Sequence, residues 1–295
     1  MAPWNQATVV GVGLVGGSLG LALKERGLAR RVVGIGHRRE SLDAARACGA
    51  VDDVSLDVAS GVRGSDLVVL ATPIGLFRDL LAQAAPALQP GAVVVDVGST
   101  KREVVAALEP LVPKGCAFVG CHPIAGSEQR GVAHARADLF QGAACVVTPT
   151  ERTQPEALRR VIEMWEALGM TVRTLSPEVH DRLLAEVSHL PHVVAAAIVR
   201  VASDQALALA GPGWADTTRV ASGDALLWCD ILMTNAEATA AALQDAQGAL
   251  AAFRDALEQG DRNRLRALLE EAKQRRDRLV RPNPGAPGTP RREDR

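Results

Sequence analysis

The segment TVVGVGLVGGSLGLAL constrains this chain more than any other. It sets Gly11, Gly13 and Gly16 between a β-branched run and a stretch whose apolar residues recur at helical spacing. Glycines spaced G-x-G-x-x-G permit a tight turn, let the backbone approach a pyrophosphate, and bring helix against strand. The helix N-terminus then favours the negative charge. The pattern alone is weak, and a glycine-rich turn that only needs positive φ would show it too. At the first strand-to-helix turn of an alternating chain it points to a dinucleotide, with Leu14 and Val15 in the same turn.

The chain does alternate. Val9–Val12, Arg31–Ile35, Leu67–Ala71, Val93–Val97, Ala117–Val119, Cys145–Val147 and Thr171–Leu175 read as strands, with helical spacing between them. Alternation of this kind implies a doubly wound, mostly parallel Rossmann-type sheet with helices on both faces. After Leu175 the pattern changes. Ser176-Pro177-Glu178 offers an N-cap, a proline at the first helical position and an acid in the first turn. From there to Val280 the chain reads as all-α, with helical segments around 180–210, 224–258 and 261–280, broken at Gly211–Trp214 and at Gly260. The expected organisation is an α/β dinucleotide-binding domain over 1–175 and a helical substrate and dimerisation domain over 176–281. A disordered tail rich in proline, glycine and charge is expected over 282–295.

Composition narrows the partners. The 295 residues carry a formal net charge of −1, which gives no electrostatic reason to expect nucleic acid or an anionic membrane. No apolar run approaches the ~20 residues of a membrane span, and the N-terminus lacks the basic-then-apolar order of a signal peptide. Five cysteines with no C-x-x-C pair suit a reduced compartment, so a cytoplasmic address is expected. The alanine-rich helical half leaves much apolar surface, for which a shared homodimer core is one outlet.

The end of the second strand bears on which dinucleotide binds. An NAD site usually places Asp or Glu there for the ribose hydroxyls. Here Gly36 is followed by His37, Arg38 and Arg39, with no carboxylate to repel a 2′-phosphate and two guanidiniums to clamp it. NADP is therefore preferred, with NAD as the alternative if both arginines are only solvated residues at a helix start. Ala71, Thr72 and Pro73 close the fourth strand-helix unit, where their backbone should border the dinucleotide.

Three further stretches stand out: VDVGSTK (95–101), GCHPIAGSE (120–128) and EVSHLPHVV (186–194), followed by DTTRVASGDALLW (216–228). With the glycine turn, these features in this order make the chain resemble the prephenate/arogenate (cyclohexadienyl) dehydrogenases of tyrosine biosynthesis, over about 8–280. The resemblance implies NAD(P)-dependent oxidation at C4 of a cyclohexadienol with loss of the ring carboxylate. Prephenate would give 4-hydroxyphenylpyruvate, and arogenate would give tyrosine. That chemistry needs a group to take the proton of the C4 hydroxyl, and a neutral imidazole suits it near neutral pH. By the match, His122 is that base, placed on a loop at the carboxyl edge of the sheet. Its plainer reading is a loop histidine bonded to backbone.

The resemblance assigns other residues too. Ser99 would bridge substrate hydroxyl, histidine and nicotinamide, its plainer reading being the N-cap of the next helix. Arg219 would bind a substrate carboxylate, for which a guanidinium has the right geometry, the plain alternative being an ion pair with Asp216. Ser127 and Glu128 fall at the pocket, Glu128 in an ion network that orients Arg219 or gates entry. His192, His189 and Trp228 would line the pocket, with core packing as the alternative for Trp228. The spacing of the two histidines could suggest a metal, but no third ligand is evident and the reaction needs none, so no metal is expected.

Some features depart from the pattern. Ala215 stands where some relatives carry a lysine that helps hold the side-chain carboxylate, which leaves prephenate against arogenate open. No chorismate mutase segment is expected before the sheet half, and the tail is too short for an appended regulatory domain. A β-hydroxyacid dehydrogenase or imine reductase is a competing reading, though the helical half has a single lysine, Lys273, near the tail. A nucleotide-binding module without catalysis is the remaining rival, and it would not need Ser99, His122 and Arg219 together.

Overall fold

The computed structural model describes residues 2–126 and 129–280, apart from the side chains of 279 and 280. Its first part runs β1 (Ala7–Val10), α1 (Leu14–Glu25), β2 (Val32–Ile35), α2 (Arg39–Ala47), β3 (Asp53–Ser55), α3 (Val58–Val62), β4 (Leu67–Leu70) and α4 (Phe77–Ala84). It continues with β5 (Val93–Asp96), α5 (Arg102–Leu108), β6 (Ala117–Pro123), β7 (Ala144–Thr148), α6 (Pro155–Ala167) and β8 (Thr171–Thr174). The strands form one sheet in the order β3-β2-β1-β4-β5-β6-β7-β8. Pairing is parallel from β3 through β6, antiparallel between β6 and β7, and parallel again to β8.

The central strands are apolar without alternation because helices cover both faces. Val9, Val69, Val95 and Val119 join the cluster under α1 and α6, with Leu19, Leu23, Val161 and Trp165. Their strand neighbours Val10, Val68, Val94 and Phe118 point the other way, toward Phe77 and Leu81 of α4 and Leu108 of α5. Each such fully buried side chain stabilises the fold by about 1.5–3 kcal/mol relative to leaving it exposed.

Two strands differ from expectation. β3 was not anticipated: it is a three-residue, half-buried strand beginning at an aspartate, too short and polar to announce itself. β6 is longer than read, running past Val119 to Pro123. Residues 120–123 pair antiparallel with β7, His122 facing Val146, so His122 sits on a strand and not on a loop. The partner strand lies more than twenty residues downstream, and Pro123 comes last, where a missing N–H is tolerated.

After Thr174 the described residues contain no strand. The helices are α7 (Pro177–Leu184), a π-turn over Ala185–His189, α8 (Leu190–Val201), α9 (Asp204–Leu207), α10 (Pro212–Thr218), a 3-10 turn over Arg219–Ser222, α11 (Ala225–Thr234), α12 (Ala236–Glu258) and α13 (Arg262–Val280). Ser176 caps α7 as expected, its Oγ accepting from Val179 N at 3.3 Å. The helical run is interrupted as expected, but over 208–211: α9 ends at Leu207, Gly211 is the N-cap of α10 and Pro212 its first residue. The π-turn accommodates Pro191, which has no N–H to return to the turn before it. The run Pro177–Val201 is long and apolar enough to cross a membrane by length and composition, with mean hydropathy 1.3, contrary to expectation. It nevertheless buries His180, Asp181, His189 and His192, which are no residues for a lipid face.

The described residues form two compact units, divided between Thr239 and Ala240. The first contains the sheet and the helices through α11. In the second, Gly260 (φ +64°) turns the chain from α12 into α13, and Asp261 N reaches back to Ala256 O at 2.9 Å. Leu250, Leu257 and Leu269 of this unit remain exposed. The expected tail, 282–295, lies outside the described residues.

Candidate active site

Parallel pairing sends β1, β2, β4, β5 and β6 to a common carboxyl edge, and β1 lies between β2 and β4, where the chain reverses its direction of growth across the sheet. That switch point is where open α/β sheets hold ligands. Gly11 adopts φ +103°, and a Cβ there would stand 2.6 Å from Ala71 O. A Cβ at Gly16 would meet Gly11 O at 2.0 Å, so α1 packs directly on the turn. Gly13, the N-cap of α1, has open space around it, and the first turn of α1 carries neither an acid nor a capping side chain. Unanswered N–H groups under an open glycine suit a pyrophosphate. Leu14 is buried and Val15 half-buried, so both offer backbone there. Ala71 N bonds Val10 O at 2.7 Å, which sets Ala71, Thr72 and Pro73 against the glycine turn.

His37, Arg38 and Arg39 are all exposed at the end of β2. They are not equivalent. Arg39 Nε bonds both oxygens of Asp43, at 3.0 and 3.1 Å, along its own helix. Arg38 has no ion-pair partner among the described residues.

His122 is buried at the end of β6. Its Nδ1 lies 2.9 Å from His180 Nε2, and His180 Nδ1 lies 2.7 Å from Asp181 Oδ1. Asp181 also accepts from Lys101 N at 2.7 Å and Arg102 N at 2.9 Å. A carboxylate from α7 thus caps α5, 80 residues away in sequence, where Ser99 offered the plainer candidate. Ser99 is half-buried and makes no hydrogen bond to a described residue. Below it, Asp96 and Lys101 form an ion pair with both side chains fully buried. Asp96 also accepts from Gly98 N at 2.8 Å and from Cys121 N at 3.2 Å, tying the Ser99 turn to the residue before His122.

Burial pushes the His122 imidazole well below its usual range, reinforced by His180, Lys101 and His189. His180 is also lowered by burial, against the opposing pull of Asp181. His189 falls to about 4, again chiefly through burial, and His192 is lowered for the same reason. The site holds its imidazoles neutral.

His192 stacks on Trp228 at 3.6 Å between centroids and 15° between planes. Its Nδ1 is buried without a hydrogen-bond partner. Gly223 closes against this stack, since a Cβ there would be 2.5 Å from Trp228 Nε1. His189 Nδ1 is instead occupied by Asn235 Nδ2 at 3.1 Å, while the same Asn235 amide bonds Asp181 O at 2.8 Å. No group of three or more metal-ligating side chains converges among the described residues. Arg219 lies on the 3-10 turn that packs against α8, exposed, and forms no pair with Asp216 or any other described carboxylate. Ser127 and Glu128 lie outside the described residues; nearby, Arg130 pairs with Asp224, the N-cap of α11.

The structure therefore joins His122 to His180 and Asp181, and His192 to Trp228. It records no hydrogen bond of Ser99 or Arg219 with His122. Sequence reasoning assigned no role to Asp96, Lys101, His180, Asp181 or Asn235. Asp96 and Lys101 were within reach, since both belong to the quoted D-x-G-S-x-K stretch.

A dinucleotide turn and a buried, uncharged imidazole that share one sheet edge define a nicotinamide-dependent dehydrogenase with a helical second part. Comparison with known families is more specific. A family model described as the nucleotide-binding domain of prephenate dehydrogenase matches residues 19–174, and one described as its dimerization domain matches 176–271. The chain belongs to the prephenate dehydrogenase family. It is 33% identical to the prephenate dehydrogenase of Bacillus subtilis over 92% of this chain and 75% of that one. It is 31% identical to the cyclohexadienyl dehydrogenase of Zymomonas mobilis over 94% of this chain and 96% of that one. Among solved structures, the prephenate dehydrogenase of Aquifex aeolicus, in complex with hydroxyphenyl propionate and NAD+, superposes with a TM-score of 0.87. That pair shares 32% identity over 93% of this chain and 98% of that one.

Proposed function

We propose that the chain oxidises prephenate at C4 and releases the ring carboxylate as carbon dioxide, giving 4-hydroxyphenylpyruvate, with His122 as the base. The observation that carries this reading is the buried His122 at the carboxyl edge, held neutral on the same side of the sheet as the glycine turn. The bound oxidised nicotinamide supplies the acceptor for the hydride from C4. His122 takes the hydroxyl proton as C4 becomes a carbonyl. The bond from C1 to the carboxylate then breaks, its electron pair makes the ring aromatic, and His122 returns its proton to the phenolate oxygen. Ser99, on the turn fixed by Asp96 and Lys101, is assigned to the same hydroxyl. Arg219, free of any described carboxylate partner, is assigned to a substrate carboxylate, and the His192–Trp228 stack to the pocket wall. His189, engaged by Asn235, acts from behind that wall; Ser127 and Glu128 keep their assignment to the pocket mouth.

Residues 1–175 would hold the dinucleotide and 176–281 the substrate and a homodimer contact, read out as twice the chain mass by light scattering. The exposed leucines of the second unit supply apolar surface for that contact. NADP is the favoured cofactor because Arg38, at the end of β2, has no ion-pair partner among the described residues. Arogenate is the second substrate, supported by the likeness to a cyclohexadienyl dehydrogenase and by Ala215, which offers no charge to either side-chain end. A cytoplasmic address fits free access to both compounds.

The test is turnover of prephenate or arogenate with NAD+ or NADP+, followed by nicotinamide absorbance. His122→Asn should lower kcat by ~10²-fold or more. Arg219→Ala should chiefly raise KM, by about 2–4 kcal/mol of lost binding. Silence with all four pairs, while cofactor still binds, would overturn the reading.

A further inference from the structure

Asp181 and His180 do more than fill space behind His122. A carboxylate only accepts hydrogen bonds, so the 2.7 Å contact places a proton on His180 Nδ1. A neutral His180 then has only a lone pair at Nε2. At 2.9 Å that lone pair must take the Nδ1–H of His122. His122 is left with an unprotonated Nε2, the atom a base needs. Were His180 doubly protonated, it would donate at Nε2, His122 would accept at Nδ1, and the His122 proton would move to Nε2. The base would then be lost without any movement of the ring.

We propose that Asp181 and His180 are positioning residues that lock His122 in its Nδ1–H tautomer and share the positive charge His122 gains on taking the substrate proton. The proposal rests on the reading of His122 as base. Asp181 is itself held in place, by the Lys101 and Arg102 amides on α5 and, through its own carbonyl, by Asn235 on the far side. Its orientation is therefore fixed before substrate arrives. The charged and titratable groups facing the His122–His180 pair are Lys101 at the start of α5, Asp96 at the end of β5, Asp181 on α7 and His189 in the π-turn. Lys101 opposes protonation of either ring, and Asp181 sets where the single proton of His180 must sit. The arrangement has the logic of a base, an orienting ring and a buried carboxylate, in which loss of the orienter costs ~10²–10⁴-fold in kcat.

Two measurements test it. In the first, nitrogen NMR of histidine-labelled wild-type protein without substrate reads the tautomer of His122 directly. A protonated Nδ1 and bare Nε2 are expected, and a protonated Nε2 overturns the proposal. The second compares His180→Phe with His180→Gln. Phenylalanine keeps a ring but accepts nothing; it should lower kcat by ~10²-fold or more, leave KM and dinucleotide affinity within about threefold, and leave His122 in mixed tautomers. Glutamine can accept from His122 and donate to Asp181, and should recover at least about tenfold of that loss. Wild-type kcat in His180→Phe, or equal losses in both variants, overturns the relay. If His122→Asn keeps its kcat, the base assignment itself fails; if His122→Asn is slow while His180→Phe is not, only the relay fails.

Discussion

Lys101→Met isolates the energetics of the buried Asp96–Lys101 ion pair. Both Lys101 and Asp96 are 0% exposed. Methionine keeps the length and most of the volume of the lysine stem but removes the ammonium. Stripping one partner from a desolvated pair costs about 3–5 kcal/mol, because the other charge stays behind unpaired. The structure places this case at the lower end, since Asp96 keeps its bonds from Gly98 N and Cys121 N. A loss of about 3–4 kcal/mol is expected, which for a chain of this size lowers Tm by roughly 5–7 °C. Lys24→Met is the control: its pair with Asp52 is 30% and 35% exposed and should contribute less than about 1 kcal/mol. The double variant Asp96→Asn with Lys101→Met removes both charges, but its single carboxamide oxygen can accept from only one of the two amides, Gly98 N or Cys121 N, so it should recover only part of the loss. Urea unfolding followed by tryptophan fluorescence, at fixed protein concentration, gives all three values. A loss below about 1 kcal/mol in Lys101→Met, or a double variant no better than the single, would refute the claim that the pair is desolvated.

Two other outcomes can be checked. Arg38→Ala should weaken NADP binding by roughly 10–100-fold and leave NAD nearly unchanged, while Arg39→Ala does less because Asp43 already holds that side chain; equal losses for both cofactors would remove the 2′-phosphate contact. The buried histidines set the acid side of stability. His122, His180, His189 and His192 are all lowered when folded, so between about pH 6.5 and 4 the unfolded chain binds more protons. Their contribution is whole above pH 6.5 and drains away as pH falls, by about 1.4 kcal/mol per pH unit for each ring still neutral in the fold. A urea midpoint unchanged from pH 7 to 5 would contradict this, and the acid limb of kcat/KM should correspondingly lie well below the ordinary imidazole range, because burial holds His122 neutral.

Much of the sheet was legible in the sequence because each central strand is a bare run of β-branched residues, and the glycine turn fixed its first crossover. What escaped depended on distant pairing. β6 reads as ending at Val119 because Gly120, Cys121 and Pro123 carry weak strand preference; only β7, supplied much later, extends it through His122. Pro212, set between Gly211 and Gly213, reads as part of a break, yet a proline at a first helical position starts a helix. Candidate groups such as His122 and Arg219 showed through their motif surroundings. His180 and Asp181 did not, because adjacent His and Asp early in an amphipathic helix look like a solvated face. Their burial is decided by a strand end and a helix N-terminus about sixty and eighty residues upstream respectively, which no local pattern encodes.

The cap that Asp181 places on α5 has an evolutionary corollary. Joined parts of a protein can be shuffled among partners when the seam between them carries no obligatory bond. Here a fragment ending at residue 175 would leave two amides of α5 unanswered and His122 without its neighbour. A foreign helical half would have to bring an acid and an imidazole to the same two places. The two segments are thus bound to be inherited together, and drift in either is answerable to the other.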